Sequence, residues 1–337
     1  MEHERSVHSL PPFRGIMRTC WVIDHPAHFQ LFRQWFREDD LLIVTERQEL
    51  DAMLAIGFEQ PTLRVERVIG SPLRRLQKGW RRQRQVTAFL FEHDVDRIIS
   101  KGAPFELRAA YHMVPERWYI SDTEVNTTAH KLANPTHILL PESWEGKLKP
   151  THTYPGILPQ AYVPLNSSAW DSAKGQVQRE IGIPEEDLVV FHRKLLGGGI
   201  HDGDEIVNYE QAIRKMKVHF VENKESAAAM DGSAWELPVQ ATLFDGVLTG
   251  STTLAAEAVV QGVPTLLISK AKRGFLTYLA EQPHFFHWNE DDLFDGRFSK
   301  MANDWMEAMR TARSTGRTAV VDVTQSVLNE LFGQPIA

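Results

Sequence analysis

The chain has almost no cysteine: Cys20 is the only one in 337 residues. A single thiol excludes an internal disulfide and any cysteine-built metal centre, and it fits a reducing compartment. Long apolar runs are missing too. No stretch approaches the ~18 consecutive apolar residues that a membrane-spanning helix needs. The first residues, MEHERSVHSLPPFRG, read as a polar tail without the apolar core of a leader. A cytoplasmic location follows as the expectation. Nor is there an excess of positive charge. With 37 Lys and Arg against 44 Asp and Glu the net charge is −7, which speaks against nucleic acid as a partner. No His, Cys and Asp residues share metal-ligand spacing. No pair of the DxD type stands at a strand end, since Glu290-Asp291-Asp292 follows HFFHW in a loop or helix start. Neither a resident metal nor a cofactor is expected. Internal repeats and low-complexity segments are also absent.

What is present is ordinary for a globular protein: 42% hydrophobic and 24% charged residues, with nine tryptophans and seventeen phenylalanines to bury. The length suits two domains of about 150 residues each. Short β-rich runs alternate with helical stretches, the pattern of parallel α/β architecture. TCWVID (19–24), LLIVT (41–45), RVERVI (64–69), DRIIS (96–100), RWYIS (117–121) and THILLP (136–141) read as strands. Between the first two, AHFQLFRQWFRE (27–38) reads as an amphipathic helix, and a long basic helix ends near Glu92. Gly and Pro punctuate 150–166 as a linker would. The alternation restarts with DLVVFHR (187–193), a helix over 205–216, KVHFVE (217–222), GVLTG (246–250) and PTLLIS (264–269), and helical material from Phe298 to Phe332 closes the chain. The expected organisation is a tail (1–16), a first Rossmann-like domain (17–160) and a second (161–337), with the last helix packing back on the first.

In parallel α/β sheets, ligands bind at the carboxyl ends of strands, where helix N-termini point amides outward. Gly250-Ser251-Thr252-Thr253 falls at such a place: the glycine permits close approach, and three hydroxyls stand beside free amides, as a phosphate cradle requires. Glu257, six residues on, is a carboxylate among alanines and valines. A charge in so apolar a setting costs free energy unless something holds it, and a carboxylate accepts well from the paired hydroxyls of a ribose. The plainer reading is a capped helix with a solvated glutamate.

Three further groups lie at strand ends. Arg193 and Lys194 put cations after 187–193, and Gly197-Gly198-Gly199 makes a loop able to wrap an anion. Asp24, His25 and His28 follow the first strand, and a neutral histidine is the usual general base near pH 7. Asp24 capping a helix with a histidine packed on it is the alternative. Asp122 and Glu124 are paired carboxylates suited to orienting acceptor hydroxyls or to acid–base work, or equally to starting a helix. Elsewhere, SPLRRLQKGWRRQRQ (71–85) carries Arg74, Arg75, Lys78, Arg81, Arg82 and Arg84, with Leu73, Leu76 and Trp80 at helical spacing on another face. Such a helix suits an anionic membrane surface through 73–84 or a phosphorylated acceptor, though a charge run is more often a solvated face.

GSTTLAAEAVVQGVP resembles the donor-nucleotide motif of GT-B glycosyltransferases and of hydrolysing UDP-N-acetylglucosamine 2-epimerases, with Glu257, Gly262 and Pro264 at the family spacing. CWVIDHPAHFQLFRQWF and SDTEVN are similar to an uncharacterised prokaryotic group, domain-of-unknown-function family 354. The resemblance covers most of 17–335 in pattern and is specific around 246–268. It implies a GT-B fold, two facing Rossmann-like domains with a cleft between them. It also implies a nucleotide-sugar substrate, UDP-linked by preference, with Glu257 on the ribose and Gly250, Ser251, Thr252 and Thr253 on the diphosphate. Arg193, Lys194 and Gly198 assist there. It selects His25, with His28 or Asp24 as substitutes, as the base that activates a hydroxyl acceptor. The transfer is expected to be metal-independent, with helix dipoles and cations neutralising the leaving diphosphate. In the 2-epimerase alternative, Asp122, Glu124 and His192 move protons; His192-Arg193 matches that family's "HR", but the acidic residue and asparagine expected after it are missing. A non-catalytic nucleotide-sugar sensor is the third reading.

Overall fold

The computed structural model describes residues 17–55, 60–68, 70–126, 129–164, 175–194, 207–223, 237–320 and 323–335. The expected tail over 1–16 and Gly198 of the glycine loop lie outside these residues.

The chain forms two parallel sheets. The first contains β1 (Thr19–Ile23), β2 (Leu41–Thr45), β3 (Thr62–Val65), β4 (Arg97–Lys101), β5 (Glu116–Ile120), β6 (His137–Pro141) and β7 (His152–Tyr154), in the order β3-β2-β1-β4-β5-β6-β7. The second contains β8 (Val189–Arg193), β9 (His219–Glu222), β10 (Gly246–Thr249), β11 (Thr265–Ile268) and β12 (Phe285–Trp288), in the order β12-β11-β10-β8-β9. Central strands such as TCWVI and LLIVT are buried at every position, as expected where helices cover both faces of a parallel sheet.

One face of the first sheet packs Trp21, Ile23, Leu42, Ile99 and Trp118 into a core that also takes Leu328, Leu331 and Phe332 from the closing helix Thr324–Phe332. That helix, last in the chain, therefore belongs to the first lobe by packing. Thr324 Oγ1 fixes its start by donating to Pro155 O at 2.7 Å. The other face buries Cys20, Val22, Ile43, Ile98 and Tyr119 against Val86 and Leu90 of the helix Pro72–His93.

Several elements differ from the sequence reading. The helix expected over 27–38 spans Pro26–Phe32 and tightens into a 3-10 turn at Arg33–Trp35. The helix expected over 205–216 is described only as Glu210–Ile213. The stretch read as a linker contains β7, a three-residue polar edge strand, where the HTY triplet gives no apolar alternation to read. FFHW, which the sequence reading did not assign to an element, is β12. Within the basic helix, Arg82 is buried rather than solvated. It pairs with Glu106 and Asp24 and donates to Thr45 Oγ1 at 2.8 Å. Lys78 is held by Glu66 at 2.5 Å. Gly79 lets this helix close on the Phe105 ring, which a Cβ would meet at 2.5 Å.

Candidate functional site

Each sheet reverses its strand order once, and an open α/β sheet binds ligands in the crevice outside the carboxyl ends at that reversal. In the second lobe the reversal lies between β8 and β10, whose register pairs Arg193 with Thr249. In the first lobe it lies between β1 and β4, so His25 follows one strand and Lys101 ends the other.

The second-lobe crevice is built from a short strand and an immediate helix. Thr249 Oγ1 donates to Arg193 O at 2.9 Å and accepts from Ser251 N at 3.0 Å, closing the Gly250 turn. Ser251 caps the helix Thr252–Val260, accepting from Leu254 N at 3.4 Å. The first amides of a helix have no partner within it, so this turn presents donors to an anion. Thr252 is half-buried and Thr253 exposed. Arg193 is buried, bonded to Asn223 Oδ1 and close enough to Glu257 to act on its carboxyl. Lys194 instead turns to the surface, where it pairs with Glu210.

Glu257 is 5% exposed. Its Oε1 accepts from the Tyr162 hydroxyl at 2.7 Å. Burial raises its pKa to about 7, against the Tyr162 bond and the positive charges of Arg193 and Lys101, which favour the anion. Lys101 belongs to the first lobe, so a cation of that lobe acts on Glu257. Tyr162 lies between the two sheets in sequence, so the same hydrogen bond ties the connecting segment to the second lobe. Beside Tyr162 a cavity of about 260 Å³ is lined by Gln30, Arg33, Gln34, Gln160 and Gln325.

The first-lobe crevice gathers titratable groups from four strand ends. Lys101 Nζ lies 2.9 Å from Asp122. The His25 and His28 rings stand 5.8 Å apart. Both histidines have lowered pKa values, first because surrounding protein displaces water and then because Lys101 and Arg47 oppose a further positive charge. His25 still shows more than a third of its surface to solvent. It also caps the helix that follows, its Nδ1 accepting from Ala27 N at 3.2 Å; a neutral ring in this arrangement carries its proton on Nε2. Asp24, the other capping candidate, bonds Thr45 and Arg82 instead.

Glu124 reaches the second lobe. Its Oε1 accepts from Gly274 N at 2.9 Å and from Glu145 N at 3.3 Å. Gly274 is required there, because a Cβ would stand 1.8 Å from Ser143 O. Glu124 Oε2 is buried without a partner among the described residues, and so are Thr123 Oγ1, Ser143 Oγ, Tyr154 OH and His28 Nδ1. Buried polar atoms are normally satisfied by protein or ordered water. Five orphans near the carboxyl ends of β1, β5, β6 and β7 mark a region suited to a polar ligand.

Glu124 thus touches the second lobe through Gly274, the Lys101 charge acts on His25, His28, Asp122 and Glu257, and Arg193 and Ser251 stand at the β8–β10 reversal. His192 points elsewhere. It is buried against Tyr209, 3.1 Å from that hydroxyl, and its charged neighbours are Glu222, Lys194 and Glu210. Lys101 and Tyr162 were missed from the sequence. The signal for Lys101 was a cation ending RIISK, the same pattern that pointed to Arg193. Among the described residues, no three His, Cys, Asp or Glu side chains come together as a metal-ligand set.

No family model matches the chain, so membership of family 354 is not shown, and no curated protein matches it in sequence. Solved structures do match in shape. UDP-GlcNAc 2-epimerase from Neisseria meningitidis, bound to UDP-GlcNAc, superposes with a TM-score of 0.58 at 11% identity, over 94% of this chain and 98% of that one. MnaA of S. aureus, in a structure with UDP, gives 0.59 at 9% identity over 94% and 96%. MurG of Acinetobacter baumannii gives 0.51 at 11% identity over 93% and 99%. At such identities the likeness carries the fold alone, and that fold is GT-B: two parallel α/β lobes facing each other.

Proposed function

We propose that this chain is a nucleotide-sugar enzyme, a glycosyltransferase that takes a UDP-linked donor and needs neither resident metal nor cofactor. The observation that carries the reading is Glu257. It is a buried carboxylate beside a capped small-residue turn and Arg193, and it feels the charge of Lys101 from the opposite lobe. In this reading Glu257 accepts from the ribose diol in place of Tyr162. Gly250, Ser251, Thr252 and Thr253 hold the diphosphate through amides and hydroxyls, and Arg193, with Lys194 at the margin, offsets its charge; the part expected of Gly198 lies outside the described residues. The leaving diphosphate is then neutralised by fixed dipoles and cations, which need no reorganisation as the bond breaks. Asp122, oriented by Lys101, and Glu124 position the acceptor hydroxyl. The proton goes to His25, or to His28 beside it, both held neutral by their surroundings. His25 acts as base only once Nδ1 gives up the Ala27 amide, so that Nδ1 accepts the proton itself or takes the ring proton and leaves the Nε2 lone pair free.

A hydrolysing 2-epimerase is the second reading. The Lys101–Asp122 pair and the unpartnered Glu124 Oε2 favour it, while the burial of His192 against Tyr209 weakens it. A nucleotide-sugar sensor without turnover is the third. Incubation with UDP-N-acetylglucosamine separates them: free UDP only with an acceptor supports transfer, an epimeric sugar with UDP supports epimerisation, and binding without turnover supports the sensor. His25→Asn tests the base, because asparagine retains a capping acceptor but takes no proton. Turnover falls about 10²–10⁴-fold with the melting temperature unchanged; full activity assigns the proton to His28.

A further inference from the structure

The helix Pro72–His93 has two apolar stripes, and the sheet uses only one. Gly79, Val86 and Leu90 face inward. Leu73, Leu76, Trp80 and Phe91 recur at spacings of three, four and eleven residues on the outward side, and they are 73%, 67%, 62% and 82% exposed. Of the eleven large apolar side chains exposed among the described residues, these four share one helix. Single exposed apolar residues are ordinary, but a lined-up set marks an interaction surface. Along the helix axis the stripe runs about 27 Å.

The cations around it are as informative. Arg74, Arg75, Arg81 and Arg84 are exposed, and none forms an ion pair among the described residues. Arg84 lies over the Trp80 ring at 5.0 Å. The acidic groups near this stretch are Glu66, already paired with Lys78, and Glu92 at the far end. A chain of net charge −7 thus concentrates arginines without an ion-pair partner among the described residues around an exposed apolar stripe.

We propose that this face docks on an anionic phospholipid bilayer, the helix lying in the interfacial plane. Leu73, Leu76 and Trp80 enter below the headgroups, and the arginines meet the phosphates. Charge argues against a second copy of the chain, since a two-fold contact would set these arginines against their own equivalents. The N-terminal end of the docked helix is the one beside the site. Arg82 bonds Asp24 and Thr45 at the carboxyl edge of the first sheet, and Leu73 lies nine residues, about 13 Å, further along the helix past that edge. Docking therefore holds the first-lobe crevice close to the lipid headgroups. The surface stands whether or not the nucleotide-sugar reading holds.

The test is cosedimentation of the full chain with vesicles of phosphatidylcholine, alone or mixed with phosphatidylglycerol. The expected result is binding to the mixed vesicles that weakens as salt is raised. Replacing Leu73, Leu76 and Trp80 together by Ser lowers partitioning at least about 10-fold. Replacing Arg74, Arg75, Arg81 and Arg84 by Gln removes the preference for phosphatidylglycerol. These side chains are exposed, so circular dichroism and UDP-sugar binding stay as in the unaltered chain. No binding to the mixed vesicles, or equal binding by the triple variant, overturns the proposal. So does a chain that is dimeric alone, monomeric as the triple variant, and indifferent to vesicles.

Discussion

At the scale of single residues, the account turns on a carboxylate kept where water would suit it better. Its pKa of about 7 against 4.5 for a free glutamate makes Glu257 a stability liability at neutral pH. The folded chain binds this proton more tightly than the unfolded chain, so the group's contribution is best below about pH 4.5 and declines as pH rises through 7. Glu257→Gln keeps an acceptor for Tyr162 and removes the buried charge. Thermal melts then show the variant more stable than the parent at pH 8, by up to about 3 kcal/mol, and equal to it near pH 4.5; equal stability at both contradicts a buried, destabilised anion. Ligand affinity moves the opposite way, because a diol donates to the anion. A UDP-sugar carries no diphosphate group that titrates here, so the parent binds it more tightly as pH climbs through 7. This residue was legible in the sequence as one acid among alanines. Its partner Tyr162 was not, because a tyrosine in a Gly- and Pro-rich stretch gives no sign of which lobe it meets.

At the scale of elements, the helix Pro72–His93 shows where a charge run misleads. Six of its cations look alike in sequence, yet Arg82 is the one placed over the carboxyl ends of the strands, where Glu106 and Asp24 await it. Glu106 is 1% exposed and its pKa is raised by burial. Removing one member of such a pair leaves the other as an uncompensated buried charge. Arg82→Met therefore lowers unfolding free energy in urea by about 3–5 kcal/mol, and adding Glu106→Leu recovers most of it; a mild single variant contradicts the pairing. The strands were read more readily. TCWVI, LLIVT and TLLI are continuous apolar runs, and burial on both faces leaves no other composition for them. HTY and FFHW escaped because edge strands are short and half-polar, so periodicity has too little length to act on.

At the scale of the whole molecule, two open sheets, each with one reversal point, are joined through Glu124 on Gly274 and Glu145 on Thr277. The alternation of strand and helix predicts each lobe, and the GT-B likeness follows from the strand orders. What sequence could not supply is the contact between the lobes: Glu124 on Gly274 and Tyr162 on Glu257. Each joins residues about a hundred or more positions apart, and no local pattern encodes such pairings. The same contacts make the site composite. Lys101 acts on Glu257 from one lobe and on His25 and His28 within its own.

Calorimetric titration of UDP into the parent chain and into Glu257→Ala, at pH 8 where the carboxylate is ionised, tests the central claim most directly. Loss of a charge-assisted pair to the ribose predicts affinity weaker by about 1–3 kcal/mol in the variant, with the fold intact by circular dichroism. Equal affinity for UDP in the two proteins would contradict the role given to Glu257 and, with it, the nucleotide-sugar reading of the site.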